Sequence, residues 1–105
     1  MQTFEALADP TRRRMVELLA RRERTAGDLG EQFAISQPGV SKHLRVLREA
    51  GLVRVREDGR RRVYSLDPAP LEELEAWLAR TRKFWTGRLD ALERELERNR
   101  KRKER

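Results

Sequence analysis

Residues 36–66 read SQPGVSKHLRVLREAGLVRVREDGRRRVYSL and decide the fold, because they predict one helix followed directly by a charged hairpin. Ser36 is a residue type that caps helix N-termini, and Pro38 falls in the first turn, where its missing N–H does little harm. The apolar stripe of this helix repeats at i, i+4 and i+7 and consists of Val40, Leu44 and Leu47. Gly51 then predicts the end of the helix, as a C′ glycine does.

The opposite face of this helix carries side chains that form hydrogen bonds. They are Gln37, Ser41, Lys42 and Arg45, with Arg48 further along the helix. The major groove of DNA accommodates a helix and presents hydrogen-bond donors and acceptors on the base edges. The pattern therefore favours a helix that reads DNA.

A two-stranded ribbon is predicted after the helix. Residues 52–57 and residues 61–66 flank Asp58-Gly59, a dipeptide typical of tight hairpin turns. The tip of the ribbon carries four guanidinium groups, on Arg56, Arg60, Arg61 and Arg62, and Tyr64 adds an aromatic ring with a hydroxyl. Guanidinium groups pair with phosphates and enter narrow minor grooves, so the hairpin is predicted to be the wing of a DNA-binding domain.

Positive charge is concentrated in two parts of the chain. Residues 36–64 hold eight basic and three acidic side chains, and residues 80–105 hold eleven basic and five acidic ones. Residues 1–35 are neutral overall, whereas residues 65–79 hold four acidic side chains and no basic one. With a net charge of +7 and a pI near 10.9, the chain is predicted to bind a polyanion.

Length and composition limit the remaining possibilities. A chain of 105 residues with 37% hydrophobic residues forms one domain with a small core, which dimerisation would help to stabilise. No apolar run approaches the roughly 20 residues of a membrane span, and the N-terminus lacks the apolar segment of a secretory signal. We therefore expect a cytoplasmic protein without a membrane partner. The absence of cysteine excludes disulfides and thiolate metal sites.

Two helices are predicted before the DNA-reading segment. The first covers about residues 2–7, with Phe4 and Leu7 facing inward. Asp9 caps the second, and Pro10 fits its first position. The second helix has an apolar face formed by Met15, Val16, Leu18 and Leu19. The cluster at residues 12–14, all arginines, is either a solvated helix face or a set of phosphate contacts.

A third helix is predicted over the segment TAGDLGEQF. Thr25 and Asp28 form an approximate capping box at its start, and Leu29 and Phe33 point inward. Only residues 34–35 separate it from Ser36, so the third and fourth helices are predicted to form a helix-turn-helix. With the hairpin, this gives a mainly helical α+β fold, a winged helix.

A long last helix is predicted from Pro70 to about Leu96, with a length of roughly 40 Å at 1.5 Å per residue. Its apolar stripe consists of Leu71, Leu74, Leu78, Trp85, Leu89, Leu92 and Leu96, widened by Trp77 and Phe84, with Thr81 between. Such a coiled-coil-like stripe indicates dimer packing, and folding back onto the monomer core is the alternative. We predict a dimer interface formed by Phe4, Leu7, Leu74, Trp77, Leu78, Phe84, Trp85, Leu89 and Leu92.

The domain is predicted to cover residues 1–97, including a dimerisation helix at about 68–97. Residues 98–105, RNRKRKER, are expected to form a disordered basic tail.

Three segments in order carry a resemblance to a known family. They are FEALADPTRRRMVELL, SQPGVSKHLRVLREAGLV and REDGRRRVYSL. Over nearly its whole length the chain resembles the ArsR-type (arsenical-resistance repressor-like) winged-helix regulators of bacteria. The resemblance implies a homodimer that binds double-stranded operator DNA at the nucleoid and represses transcription until an inducer releases it. Predicted DNA contacts are Ser36, Gln37, Gly39, Ser41, Lys42, His43 and Arg45 on the helix and Arg56, Arg60, Arg61, Arg62 and Tyr64 on the wing.

The chain departs from the metal-sensing branch of that family. Metal-sensing members carry cysteine pairs on the helix that here reads TAGDLGEQF, or His and acidic ligands on the last helix, and this chain has neither. The single histidine, His43, lacks a second imidazole or thiolate with which to bind a transition metal. We expect no metal and no cofactor. For His43 itself, a structural hydrogen bond and a phosphate contact remain equal alternatives.

Enzymatic function is not predicted. One histidine, no cysteine, and the lack of a Gly-rich phosphate loop or nucleophile elbow leave no catalytic residues to propose. The alternatives to a sequence-specific regulator are a protein-interaction adaptor that uses the winged helix and last helix, or a nonspecific DNA-binding protein. An adaptor would be expected to show an apolar recognition face, and here that face is polar and basic.

Overall fold

The computed structural model describes residues 2–103. Five helices and three strands follow in the order α1 (Gln2–Leu7), α2 (Pro10–Arg21), β1 (Arg24–Thr25), α3 (Ala26–Gly30), α4 (Gln37–Glu49), β2 (Val53–Asp58), β3 (Arg61–Leu66) and α5 (Ala69–Lys103). The chain forms two compact units, with the boundary after Glu72. The mainly helical architecture with one small antiparallel sheet confirms the predicted winged-helix class.

Side-chain caps begin α2 and α3 as predicted. Asp9 Oδ1 accepts hydrogen bonds from the backbone N–H groups of Thr11 (2.8 Å) and Arg12 (3.1 Å), with Pro10 in the first turn. The bond from Arg12 N–H is the main reason that the pKa of Asp9 lies below its ordinary value. These bonds satisfy backbone donors that no helical carbonyl can reach.

The capping box of α3 is also present. Thr25 Oγ1 accepts from Asp28 N–H at 3.1 Å, and Asp28 Oδ2 accepts in return from Thr25 N–H at 3.3 Å, which lowers the pKa of Asp28. The predicted end of this helix is wrong, however, because α3 stops at Gly30. Residues 31–36 connect it to α4. Glu31 N–H still bonds to Gly27 O, four residues back, whereas the N–H groups of Gln32 and Phe33 bond to carbonyls three residues back, as in a turn.

The inward face of α1 differs from the prediction. Phe4 is 41% exposed, whereas Thr3 and Ala6 are buried and Leu7 packs against the core. A helix of six residues presents only one narrow face to the core, and here positions i and i+3 occupy it. Phe4 therefore lies beside that face rather than on it.

Arginines of α2 hold the C-terminal end of α1. Arg12 Nε donates to Ala6 O at 2.6 Å and its Nη2 donates to Glu5 O at 3.1 Å. Arg13 Nη1 donates to Leu7 O at 3.1 Å. The last carbonyls of a helix lack helical partners, so these bonds satisfy them. Arg12 and Arg13 thus have a structural role, which was not predicted from the sequence.

The sheet has the strand order β1-β3-β2, with all pairs antiparallel. β1 was not predicted; it pairs Arg24 with Tyr64 and Thr25 with Val63. β2 and β3 pair from Val53–Leu66 to Asp58–Arg61. The turn is therefore Gly59-Arg60, one residue later than predicted. Gly59 has φ +62° at the first turn position, where a two-residue hairpin of type II′ needs glycine.

The core lies among α2, α3, α4 and the sheet. Its largest fully buried side chains are Met15, Leu29, Leu44, Leu47, Leu52 and Val40. The predicted apolar faces of α2 and α4 are thus confirmed. Each such side chain contributes roughly 1.5 to 3 kcal/mol by its removal from water.

Helix α5 contains 35 residues and is about 50 Å long at 1.5 Å per residue. Asp67 Oδ1 accepts from Ala69 N–H at 3.1 Å at its start, and this bond, ahead of the ion pair with Arg54, lowers the pKa of Asp67. The helix continues through residues 98–103, where an irregular tail was expected; residues 104–105 lie outside the described residues. No helix in the described part of the chain is long and apolar enough to cross a membrane.

Replacement of Gly51 by alanine should destabilise the fold. Gly51 has φ +76°, and the turn that ends α4 is closed by bonds from Gly51 N–H to Arg48 O and from Leu52 N–H to Leu47 O, each 3.0 Å. A side chain in this left-handed conformation costs roughly 1 to 2 kcal/mol. We expect Gly51→Ala to lower the free energy of unfolding by about that amount in urea titrations followed by circular dichroism.

Gly87→Ala is the matched control, since Gly87 lies inside α5 with open space around its Cβ position. Alanine is favoured over glycine in a helix by about 1 kcal/mol, so this variant should be unchanged or more stable. Equal effects of the two substitutions would contradict the assignment of Gly51 as the residue that ends α4.

Candidate nucleic-acid interface

Helix α4 has two distinct faces. Val40, Leu44 and Leu47 are almost fully buried. The predicted polar side chains are exposed, namely Gln37, Ser41, Lys42, Arg45 and Arg48. Ser36 Oγ accepts from Gly39 N–H at 3.2 Å, so Ser36 caps the helix as predicted and its hydroxyl has a structural partner. The predicted division into a buried stripe and a polar face is confirmed, while the DNA contacts themselves stay predictions.

The start of α4 packs closely on α3 at Gly30. The side-chain amide of Gln37 occupies the space that a Cβ atom on Gly30 would need, and Val40 lies next to it. A glycine at this position therefore leaves room for Gln37, a predicted DNA contact, to pack against the end of α3. The role of Gly30 was not predicted, because nothing in the local sequence pattern indicates which residue of the next helix Gly30 contacts.

His43 lies at the edge of α4 and is half-buried. Its Nδ1 is 3.4 Å from Nη1 of Arg12, which can donate to it when the ring proton is on Nε2. The same guanidinium group bonds to the carbonyls at the end of α1. The contact provides His43 with a structural partner, and its predicted role at a phosphate stays a prediction.

The wing residues fall into different environments. Arg60, Arg61 and Arg62 are exposed at and beside the turn. Arg56 instead donates to Glu23 Oε1 at 2.6 Å, a bond that raises the pKa of Arg56 above its ordinary value. Tyr64 is only 7% exposed, because its ring belongs to the core. Of the predicted wing contacts, Arg56 and Tyr64 are thus already engaged within the protein.

The basic side chains of this unit divide into two groups. Those bonded to protein groups are Arg12, Arg13, Arg14, Arg24, Arg54 and Arg56. Among the described residues of this unit, the other eight basic side chains make no hydrogen bond or ion pair, and they are Arg21, Arg22, Lys42, Arg45, Arg48, Arg60, Arg61 and Arg62. Six of the eight belong to α4 or the wing, whereas Arg21 and Arg22 lie at the end of α2. Most of the unpaired positive charge of this unit is therefore located on one helix and the adjacent hairpin.

A cleft of about 140 Å³ lies between α4 and the wing. It is lined by Ser41, Leu44, Arg45, Arg48, Arg62 and Tyr64. No acidic side chain lines it. The predicted helix and wing contacts are thus brought together around a concave, basic surface.

Comparison with known proteins identifies the family. A helix-turn-helix domain family matches residues 7–56. The chain is similar to the HTH-type transcriptional regulator Rv2034 of Mycobacterium tuberculosis, with 47% identity over 85 residues that cover 81% of this chain and 77% of that protein. It is also similar to the transcriptional repressor SdpR of Bacillus subtilis, with 39% identity covering 71% of this chain and 83% of the repressor.

The fold agrees with that result. The crystal structure of an ArsR family transcriptional regulator matches with a TM-score of 0.76 and 35% identity, covering 81% of this chain and 93% of the other. The chain belongs to the ArsR-type family of winged helix-turn-helix transcriptional regulators. The predicted resemblance is confirmed, and this ArsR-type protein is a DNA-binding regulator of transcription rather than an enzyme.

Most of the predicted dimer residues of this ArsR-type regulator are exposed in the chain. On α5, Phe84, Trp85, Leu89 and Leu92 are 52% to 58% exposed. Leu7 and Leu74 are half-buried, whereas Phe4, Trp77 and Leu78 are exposed. The dimer interface stays a prediction.

Two polar side chains are accommodated along the α5 stripe. Thr81 Oγ1 bonds to the carbonyls of Trp77 and Leu78, at 3.0 and 3.1 Å, so its hydroxyl is satisfied within the helix. The guanidinium carbon of Arg88 lies 4.1 Å from the centre of the Phe84 ring, as in a cation–π contact. Thr81 therefore interrupts the apolar stripe without adding an unsatisfied polar group.

Gly30→Ala should disturb recognition without weakening the fold. The new Cβ displaces the Gln37 amide, which is the flexible end of its side chain, while alanine in a helix is favoured by up to about 1 kcal/mol. We expect unchanged or higher thermal stability together with weaker binding to the preferred DNA sequence. Competition binding assays with single base-pair changes should locate the loss at the base pair that Gln37 contacts.

Gly27→Ala is the control on the same short helix, because its Cβ position meets only Thr25 Oγ1 at 3.8 Å. This variant should bind DNA like the parent protein. If Gly30→Ala also keeps the parent's affinity and base preference, the position of Gln37 in the complex does not depend on Gly30.

Proposed function

We propose that this regulator is a homodimeric repressor that binds a pseudo-palindromic operator. Two copies of α4 enter successive major grooves, the wings contact the flanking DNA, and the bound dimer occludes RNA polymerase. The observation that carries this proposal is the group of six basic side chains on α4 and the wing that form no hydrogen bond or ion pair with the described residues. The half-sites are expected to lie about one helical turn apart, roughly 34 to 36 Å.

The polar character of α4 favours DNA over a protein partner. A protein-binding groove face would need exposed apolar anchors, whereas the described exposed face of α4 carries amide, hydroxyl, ammonium and guanidinium groups. These groups match the donors and acceptors of base edges and phosphates. Operator binding of this kind implies that the protein acts at the nucleoid, in the bacterial cytoplasm.

Helix α5 supports the homodimer. Its exposed apolar side chains form one stripe along the helix, whereas the exposed apolar residues of a typical monomer surface are scattered singly. Residues 69–79 are acidic with no basic side chain, whereas residues 94–103 hold six basic and two acidic side chains. Two antiparallel copies of α5 would bring the acidic part of one helix opposite the basic part of the other, which makes the helix electrostatically complementary to itself.

We further infer that the regulator does not sense a metal ion through the family's thiolate or imidazole sites. The chain has no cysteine, and its one histidine contacts Arg12 rather than another ligand. Among the described residues, no three His, Cys, Asp or Glu side chains are grouped to hold a metal ion. Release from DNA would then depend on another signal.

The first experiment selects the preferred duplex from a random library and compares it with a scrambled duplex at several salt concentrations. Sedimentation fixes the stoichiometry. One dimer per duplex, bound roughly 10³-fold or more tightly than the scrambled DNA, supports the proposal. Equal weak binding to both that vanishes with salt would identify a nonspecific DNA-binding protein instead.

Arg45→Ala should weaken operator binding by about 1 to 3 kcal/mol and relax sequence preference at one position of each half-site. The physical reason is that Arg45 is exposed on the polar face of α4 and has no protein partner in the described chain. Binding titrations on the selected duplex and on its single base-pair variants measure both effects. An equal loss on the selected and scrambled duplexes would contradict base reading by Arg45.

Two further variants are compared with Arg45→Ala, one at a predicted phosphate contact and one outside the interface. Arg61→Ala should weaken binding to all DNA similarly and reduce the salt slope by about one unit, as for a phosphate contact. Arg14→Ala removes an exposed arginine of α2 that pairs with Glu17 at 3.1 Å, and it should leave DNA binding unchanged.

Leu89→Glu should dissociate the dimer, because a charge would be buried without a partner in the apolar interface. We expect the dimer dissociation constant, measured by sedimentation equilibrium, to rise by at least about tenfold, since an uncompensated buried charge costs more than 1.4 kcal/mol. Gly87→Glu adds the same side chain two residues away and off the stripe, and it should leave the dimer intact. An unchanged dimer in Leu89→Glu would exclude this part of α5 from the interface.

A further inference from the structure

The cleft between α4 and the wing is lined by side chains from two elements, α4 and β3. Helix α4 contributes Ser41, Arg45 and Arg48, which lie on one face at i, i+4 and i+7, and β3 contributes Arg62. Its base is formed by two buried core residues, Leu44 and Tyr64. The walls are therefore polar and basic, and the floor is part of the core.

The charge of the cleft is not balanced within the protein. None of the three arginines forms a hydrogen bond or an ion pair with another described residue. Glu57 is the cross-strand neighbour of Arg62, yet no ion pair joins the two side chains. Like charges gathered around a concave surface repel one another, and a bound anion would remove that repulsion.

The volume of the cleft limits the size of that anion. At about 140 Å³ it is well below the 300 to 1,000 Å³ typical of pockets for drug-sized ligands. A single oxyanion group fits this space better than a nucleoside or an organic effector. Phosphate is the matching chemistry, because its oxygens accept paired N–H groups from guanidinium side chains.

The geometry points to a phosphate site in this cleft, occupied in the DNA complex by one backbone phosphodiester held between Arg48 of α4 and Arg62 of the wing. This assignment rests on the proposed function, because Ser41 and Arg45 at the same cleft are predicted operator contacts. It adds Arg48, which was not among the predicted contacts. A phosphate bound from both sides would fix the wing relative to α4 and set the register of the recognition helix on the duplex.

The test replaces one phosphodiester at a time by an uncharged methylphosphonate in the selected duplex. Wild-type protein should lose about tenfold or more in affinity at one position in each half-site, as expected for loss of a charge-assisted hydrogen bond. Arg48→Gln and Arg62→Gln should bind the unmodified duplex more weakly, with a salt slope reduced by about one unit. In both variants, the loss of affinity caused by methylphosphonate at that position should be smaller than in the wild-type protein.

The double variant adds an independent measurement. If Arg48 and Arg62 hold the same phosphate, Arg48→Gln with Arg62→Gln loses less affinity than the product of the two single losses. Arg21→Gln is the matched control, since Arg21 lies in the last turn of α2, as Arg48 lies in the last turn of α4, but outside the cleft. It should keep the wild-type methylphosphonate pattern and salt slope.

The remaining outcomes separate the two proposals. If the wild-type protein selects a duplex but Arg48→Gln keeps the methylphosphonate pattern, the phosphate site is overturned and operator binding stands. If the wild-type protein selects no duplex, both are overturned. In a separate experiment, inorganic phosphate is titrated without DNA, and its binding is followed by NMR of the arginine side chains. The phosphodiester assignment would be overturned in favour of a free phosphate by two results together. Arg48→Gln would abolish phosphate binding, and no position in the duplex would show a methylphosphonate effect.

Discussion

The burial of one face of α4 is the constraint on which the rest of the structure depends. Val40, Leu44 and Leu47 are each at most 1% exposed, so the rotation of the helix about its own axis is fixed. A rotation by one residue, about 100°, would bury polar or charged side chains and expose leucine, at a cost of several kcal/mol. The same periodicity that buries the stripe therefore determines which side chains face outward, and the proposed operator contacts depend on core packing.

The turn at the end of α4 fixes the position of the wing relative to this helix. Leu52 N–H bonds to Leu47 O, and the Leu52 side chain is fully buried, so the chain leaves the helix at a fixed place and in a fixed direction. β2 then pairs with β3 along six residues of each strand, which brings Arg62 beside α4. The position of the basic cleft is thus determined by the left-handed turn at Gly51 and by the register of β2 and β3.

Much of the fold could be predicted from local signals, and the errors share a physical cause. The caps at Asp9 and Thr25 and the stripe of α4 act within one or two helical turns, so the sequence pattern contains them. Strand β1 has two residues and exists only because β3, about forty residues later, offers a free edge. The exposure of Phe4 and the contact between Gly30 and Gln37 also depend on neighbours that no local pattern specifies.

The arginines show that the site, too, depends on contacts that no local sequence pattern specifies. Composition alone treats Arg12 and Arg48 as equal contributions to a basic protein, and both lie on amphipathic helices. Three bonds commit Arg12 to carbonyls of α1 and to His43, so its charge stabilises a helix end. Arg48 has no such partner and faces a cleft that two other arginines share. The difference lies in the acceptors that the fold brings near each guanidinium. These acceptors, rather than the count of positive charges, determine which arginines remain available for the proposed contacts to DNA.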